Sequence, residues 1–203
     1  MSQLIAFLGF TIVLRVSSAC TDMKDNVIVI EDCAAEQTVS LNGNKLYTYD
    51  VNGKPACTSN QTEVSGQVEF PGIMKIVHLS GNIQKPISVR ELDLMLTMTR
   101  LEMPKVDLCD DGTGLMGFDY CRFNLCNLVG AQVCAQLNGT GPFNVPVNVT
   151  FHMPDMEQYD ILCALLQASF SLSASIKSAG EMVGCIKNAD VTLKPMMDCS
   201  KSH

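Results

Sequence analysis

The chain has 203 residues, a formal charge of −7, ten cysteines and no tryptophan. With no Lys/Arg cluster to neutralise phosphates, this acidic balance excludes nucleic acid as a partner. It also opposes electrostatic adhesion to anionic lipid at neutral pH, a repulsion that fades where an acidic compartment protonates the carboxylates.

The first segment reads as a signal peptide. Leu4 to Val16 is apolar apart from Gly9, Thr11 and Arg15, and Ser17 and Ala19 fit the small-x-small cleavage pattern. The run is shorter than the ~20 residues a membrane span needs. Cleavage after residue 19 leaves 184 residues and, with Arg15 lost, a charge of −8. The expected destination is the secretory route: secreted outright or delivered to lysosomes. All ten cysteines (Cys20, Cys33, Cys57, Cys109, Cys121, Cys126, Cys134, Cys163, Cys185 and Cys199) follow the cleavage site. Such density fits an oxidising compartment, and the absence of a Cys-x-x-Cys pair or spaced histidines argues against a zinc site. Three N-glycosylation sequons start at Asn60, Asn138 and Asn148. The mature length suits one domain, 20–203, which can bury a core without help from disulfides.

Residues 20–59 read as an N-terminal extension with the first strand, and Thr21 to Ser59 is the least patterned stretch. Several segments of the chain alternate with period two. Lys45 to Val51, Glu63 to Phe70 and Met74 to Ile83 are strand candidates. In Glu91 to Thr99, Leu92, Leu94, Leu96 and Met98 share one face. Gly112 to Gly141 is rich in Gly and Cys and reads as loops pinned by disulfides. Val145, Val147, Val149 and Phe151 alternate with polar positions, which sends Asn148 to solvent. Tyr159 to Ala168 reads as a short helix or the start of a strand. Phe170, Leu172, Ala174 and Ile176 then alternate with serines, and Val183 to Leu193 follows. The expected fold is all-β: a disulfide-stapled antiparallel cup or sandwich with an apolar cavity and little helix.

Nothing in the chain equips it for catalysis. Gly112-Thr113-Gly114-Leu115-Met116-Gly117 spells the dinucleotide fingerprint, but that motif works only between a strand and a helix N-terminus. No nucleophile elbow exists, and the three histidines (His78, His152 and His203) assemble no visible triad. Asp110-Asp111 and Asp155 with Glu157 read as solvated loop acids, not a glycosidase pair. No metal and no cofactor is expected. Apolar residues do crowd two connections: Leu115, Met116 and Phe118 in one, and Met153, Met156, Tyr159, Ile161, Leu162, Leu165 and Leu166 in the other. Twelve methionines suit irregular apolar contacts.

Phe170 to Lys187 (FSLSASIKSAGEMVGCIK), with Val191-Thr192-Leu193-Lys194 after it, resembles the last hairpin of the ganglioside activator family. These are secreted sphingolipid activators, within the wider ML group of lipid-recognition β-cups, that present gangliosides to lysosomal β-hexosaminidase A. Phe70-Pro71-Gly72, the strand from Val89 to Leu101, the cysteine cluster and Phe151 to Asp155 extend the resemblance over roughly residues 60 to 195. The chain departs from the family in lacking tryptophan and one bridge within the cluster. The resemblance implies a lipid-binding β-cup over 60–199. Its wall would be built from Leu92, Leu94, Leu96, Phe170 and Leu172, and its rim from the two apolar connections. It implies a lipid or glycolipid ligand, transient contact with a membrane surface and hand-over to an enzyme such as a lysosomal glycosidase. The alternative is a secreted signalling or recognition protein on the same fold, with lipid binding incidental. Short separations predict bridges Cys109–Cys121 and Cys126–Cys134. Cys185 is expected to reach an N-terminal cysteine, Cys33 in preference to Cys57, while Cys20, Cys57, Cys163 and Cys199 stay unassigned.

Overall fold

In the computed structural model, residues 20–59, 64–102, 104–114, 121–153 and 168–195 are described. The strands are β1 (Val27–Val29), β2 (Glu31–Asp32), β3 (Val39–Ser40), β4 (Lys45–Asp50), β5 (Cys57–Ser59), β6 (Val64–Phe70), β7 (Gly72–Ile83), β8 (Leu92–Arg100), β9 (Asp107–Asp110), β10 (Thr113–Gly114), β11 (Arg122–Asn124), β12 (Gly141–Met153), β13 (Ala168–Ser178) and β14 (Glu181–Pro195). A 3-10 turn, Val89–Glu91, precedes β8, and two short helices, α1 (Leu125–Val129) and α2 (Ala131–Gln136), precede β12.

The strands form two sheets that curl toward each other. The first runs β1-β4-β7-β12, with β3 also on β7; the second runs β10-β9-β8-β13-β14-β6-β5, with β11 on β8 and β2 on β14. The all-β, disulfide-stapled architecture expected from the sequence is present. One pairing departs from it, because β14 and β6 are parallel. The cause is a corner. β6 ends at Phe70 and β7 starts at Gly72 in the other sheet, so β6 has to run toward that corner, and β14 runs toward the same end. A Cβ on Gly72 would lie 2.4 Å from the Glu69 carbonyl oxygen, so the bend is open only to glycine.

Two tight hairpins fix register. Ala179 and Gly180 (φ 50° and 83°) join β13 to β14, and Asp111 and Gly112 (φ 43° and 87°) join β9 to β10. Both pairs have the left-handed dihedrals of a two-residue turn that matches strand twist. Gly112 therefore belongs to a β-turn followed by β10, while Leu115 to Gly117 of the motif lie outside the described residues. The segment 112–141 is also not all loop. It holds β10, β11 and the helix pair, with Asn124 Oδ1 capping α1 by accepting from the Asn127 amide at 3.2 Å. Likewise the weakly patterned stretch 21–59 contains five strands. The helix or strand expected over Tyr159 to Ala168 falls, except for Ala168 at the start of β13, outside the described residues.

Buried residues form two clusters. At the helix end, Val39, Leu79, Ile83, Leu92, Leu125, Leu137, Val145 and Ile176 pack together. At the other end, Ile28, Leu46, Val68, Leu108 and Phe170 do so. The three expected bridges are formed: Cys33–Cys185, Cys109–Cys121 and Cys126–Cys134. A fourth, Cys20–Cys57, fastens the N-terminus to β5. Cys163 and Cys199 lie outside the described residues.

The bridges should differ in weight. Cys33 and Cys185 are 152 residues apart and Cys126 and Cys134 only 8. The chain-entropy account gives about 5 kcal/mol for the first and about 2.5 kcal/mol for the second. Denaturant unfolding of the double Ala variants should reproduce that order. Equal losses would show that the long bridge stabilises by something other than constraining the unfolded chain.

Candidate functional site

The inner face of the second sheet carries the site. Cross-strand pairs set its geometry: Leu94 faces Ile176, Leu96 faces Ala174, Met98 faces Leu172 and Arg100 faces Phe170. Side chains two apart share a face, so these pairs make a double row along β8 and β13.

The row is not uniformly closed. Leu92 (1% accessible) and Phe170 (0%) are fully packed, each in one of the two clusters. Both expected wall residues therefore pack into the clusters at the two ends of the row. Leu94, Leu96 and Leu172 are half-buried, as are Met98 on the same sheet and Met74, Ile76 and Val147 opposite. Leu94 and Val147 flank the helix-end cluster, while Met74, Ile76, Met98 and Leu172 flank the other. Inward-facing apolar residues of a closed sandwich would all be buried. Here both ends are packed and the middle of the interior keeps accessible apolar surface.

Of the expected rim, Leu115, Met116, Phe118, Met156, Tyr159, Ile161, Leu162, Leu165 and Leu166 lie outside the described residues. Met153 ends β12, and nothing is assigned to its side chain. Of the sequons, Asn138 and Asn148 are exposed, leaving both open to modification, and Asn60 lies outside the described residues. Asn148 points to solvent as its alternation requires.

A described concavity lies elsewhere. A groove of about 870 Å³ runs between the 3-10 turn and the helix pair, lined by Ser88, Arg90, Asn124, Asn127, Ala135 and Asn138 among others. Its lining mixes the polar Ser88, Asn127 and Asn138 with the apolar Val89, Ala131 and Ala135. Sequence reasoning missed it because Cys-rich residues without periodicity gave no helix signal.

Charge is placed at the sheet's margins. Lys177 Nζ (2.5 Å) and Ser175 Oγ (2.8 Å) donate to Asp111, joining the β9–β10 turn to β13. The Lys177 and Ser175 hydrogen bonds hold the Asp111 carboxyl below the usual range. Glu102 is lowered too, chiefly because the Ser169 amide donates to it at 2.9 and 3.1 Å. His78 Nδ1 lies 2.9 Å from the Val145 carbonyl oxygen, which ties the ring to the β7–β12 ladder, and His152 is exposed. Among the described residues no group of His, Cys, Asp or Glu is arranged to hold a metal ion. No helix among them is long and apolar enough to cross a membrane.

No protein-family model matches the chain, and no curated protein matches it.

The Asp111 contact makes a pH prediction. Its folded pKa is depressed, so its contribution is complete above the unfolded value of about 3.9 and fades as pH falls through the lower folded value. The pair is largely exposed, so about 0.2–1 kcal/mol is expected. The Tm difference between wild type and Asp111→Asn should therefore hold steady from neutral to lysosomal pH and shrink only in stronger acid. A difference already lost in mild acid would mean that another group titrates there.

Proposed function

We propose that the protein is a secreted or lysosomal lipid-binding protein, which takes a glycolipid or other amphiphile from a membrane and presents it to an enzyme or partner. The observation that carries this is the accessible apolar middle of the interior, lined by Leu94, Leu96, Met98, Leu172, Met74 and Ile76 between two packed ends. Each CH₂ transferred into such a space contributes about 0.8 kcal/mol, so a long acyl chain outweighs its own ordering cost. No chemical step is required of the protein. Four described disulfides fit the oxidising secretory route, and two exposed sequons accord with it. The resemblance to ganglioside activators adds the partner class: a glycosidase that acts on the displayed headgroup.

The test fills the space. Leu96→Phe adds volume at the middle of the row. If the interior holds lipid, the variant should unfold close to wild type yet transfer a fluorescent lipid between neutral phosphatidylcholine vesicles several-fold more slowly. If the interior is an ordinary core, overpacking should cost about 1–3 kcal/mol, and wild type should bind no amphiphile. Ester or glycoside turnover that survives rigorous purification would also overturn the proposal.

A further inference from the structure

One side chain on the apolar row is a cation. Arg100 ends β8 and lies two residues beyond Met98, so it points to the same side as Leu94, Leu96 and Met98. Its direct cross-strand neighbour is the fully buried Phe170. The Arg100 side chain is only 14% accessible. Its Nε is buried, and among the described residues it has no hydrogen-bond partner.

Glu102 does not fill that role. Its nearest oxygen is 3.9 Å from Nε, and the side chain is 48% accessible. Both Glu102 oxygens are already accepting from the Ser169 amide, at 2.9 and 3.1 Å. The carboxylate is thus held by backbone at the strand end, one step short of the guanidinium. A snorkelling arginine would lay its stem on apolar surface and put its donors in water. Arg100 instead keeps one donor inside, unsatisfied, with little of its side chain reaching solvent. A buried guanidinium N–H without an acceptor is a standing cost, and the Nε–Nη edge is the geometry that takes two oxygens of one acid group.

We infer that Arg100 is the headgroup-recognition residue of the proposed lipid site, and that the preferred ligand is an amphiphile with an acidic oxygen group, carboxylate or phosphate, next to its acyl chain. The acid would dock on the Arg100 edge while the chain extends along Met98, Leu172 and Leu96. This inference rests on the lipid-binding reading and narrows it. Because the chain as a whole is acidic, the recognition acts at contact and not through long-range attraction.

The experiment uses the secreted full chain and three ligands with the same tail: oleate, oleoyl lysophosphatidate and oleyl alcohol. Displacement of a hydrophobic fluorescent probe at neutral pH gives each affinity. Wild type should bind at least one of the two acids roughly tenfold or more tighter than the alcohol. Preference for oleate alone assigns a carboxylate, for lysophosphatidate alone a phosphate, and for both a shared oxyanion site. Arg100→Gln should abolish that preference and leave alcohol binding unchanged, whereas Arg100→Lys should retain part of it. Glu102→Gln, an exposed change that tests the site even if the Arg100 variants fold poorly, should raise acid affinity several-fold by removing the competing charge. No acid preference in wild type, unchanged acid affinity in Arg100→Gln, or no response to Glu102→Gln would each overturn the assignment while alcohol binding still upheld the cavity. If none of the three ligands binds, the cavity reading itself fails and takes Arg100 with it.

Discussion

The two sheets are sewn together by one short stretch of chain, and the rest of the interior follows from that stitch. β1 pairs in the first sheet, β2 with β14 in the second, and β3 with β7 back in the first. Within residues 27–40 the backbone thus crosses between the sheets twice. Cys33–Cys185 locks the crossing, the Cys33 amide donates to the Cys185 carbonyl at 3.1 Å, and the Gln37 side chain accepts from the Cys185 amide at 2.9 Å. Asp32 accepts from Ser40 Oγ and the Leu41 amide, closing the crossing on itself. Gly184 is the point of closest approach. A Cβ there would stand 2.5 Å from the Val39 carbonyl oxygen, so backbone meets backbone and the sheets cannot separate at this end.

The lateral edges are closed by different means. On one side the join is main chain: the Ala56 amide donates to the Thr48 carbonyl and the Gln67 amide to the Ala56 carbonyl, at 3.0 and 3.1 Å, linking β4 to β6. Gly66 permits that approach, since a Cβ there would meet Thr48 Oγ1 at 2.8 Å. On the other side β12 faces β11, and Phe151 meets Phe123 edge-to-face with ring centres 6.5 Å apart. Ring pairs are worth about 0.5–1.5 kcal/mol beyond their area and can separate without breaking a ladder. The two edges are thus joined by different means, backbone hydrogen bonds between β4 and β6 and a ring contact between β11 and β12.

The legible parts were the long, half-buried strands. β8, β12 and β13 have nine or more residues each, enough for alternation to declare both strand and inner face, and Leu94, Leu96 and Leu172 were found that way. β2, β3 and β10 have two residues each, too few for any period, so the sheet crossing was invisible although it organises the fold. Short separation disclosed Cys109–Cys121 and Cys126–Cys134, but Cys20–Cys57 joins two weakly patterned segments and left no signal. Arg100 was missed for a plainer reason. The alternation was followed only to Thr99, so Arg100, although within the strand from Val89 to Leu101, was not assigned to the inward row.

The disulfides gain a further meaning from the divided core. A chain of this size can bury enough apolar surface to fold unaided, so the described bridges are not needed merely to compensate for smallness. A lipid-holding interior has a different need. Space kept open for a ligand would forfeit the contacts that otherwise fill it, a loss that grows with the volume left unpacked. Filling the space with side chains would restore stability and exclude the ligand. Cross-links escape this conflict because they act mainly on the unfolded chain and take up no room between the sheets. Cys33–Cys185 and Cys20–Cys57 sit where the first sheet meets the second, and the two local bridges brace β9–β11 and the helix pair. Under the proposed function, all four would stabilise the walls of the interior without occupying the space between them.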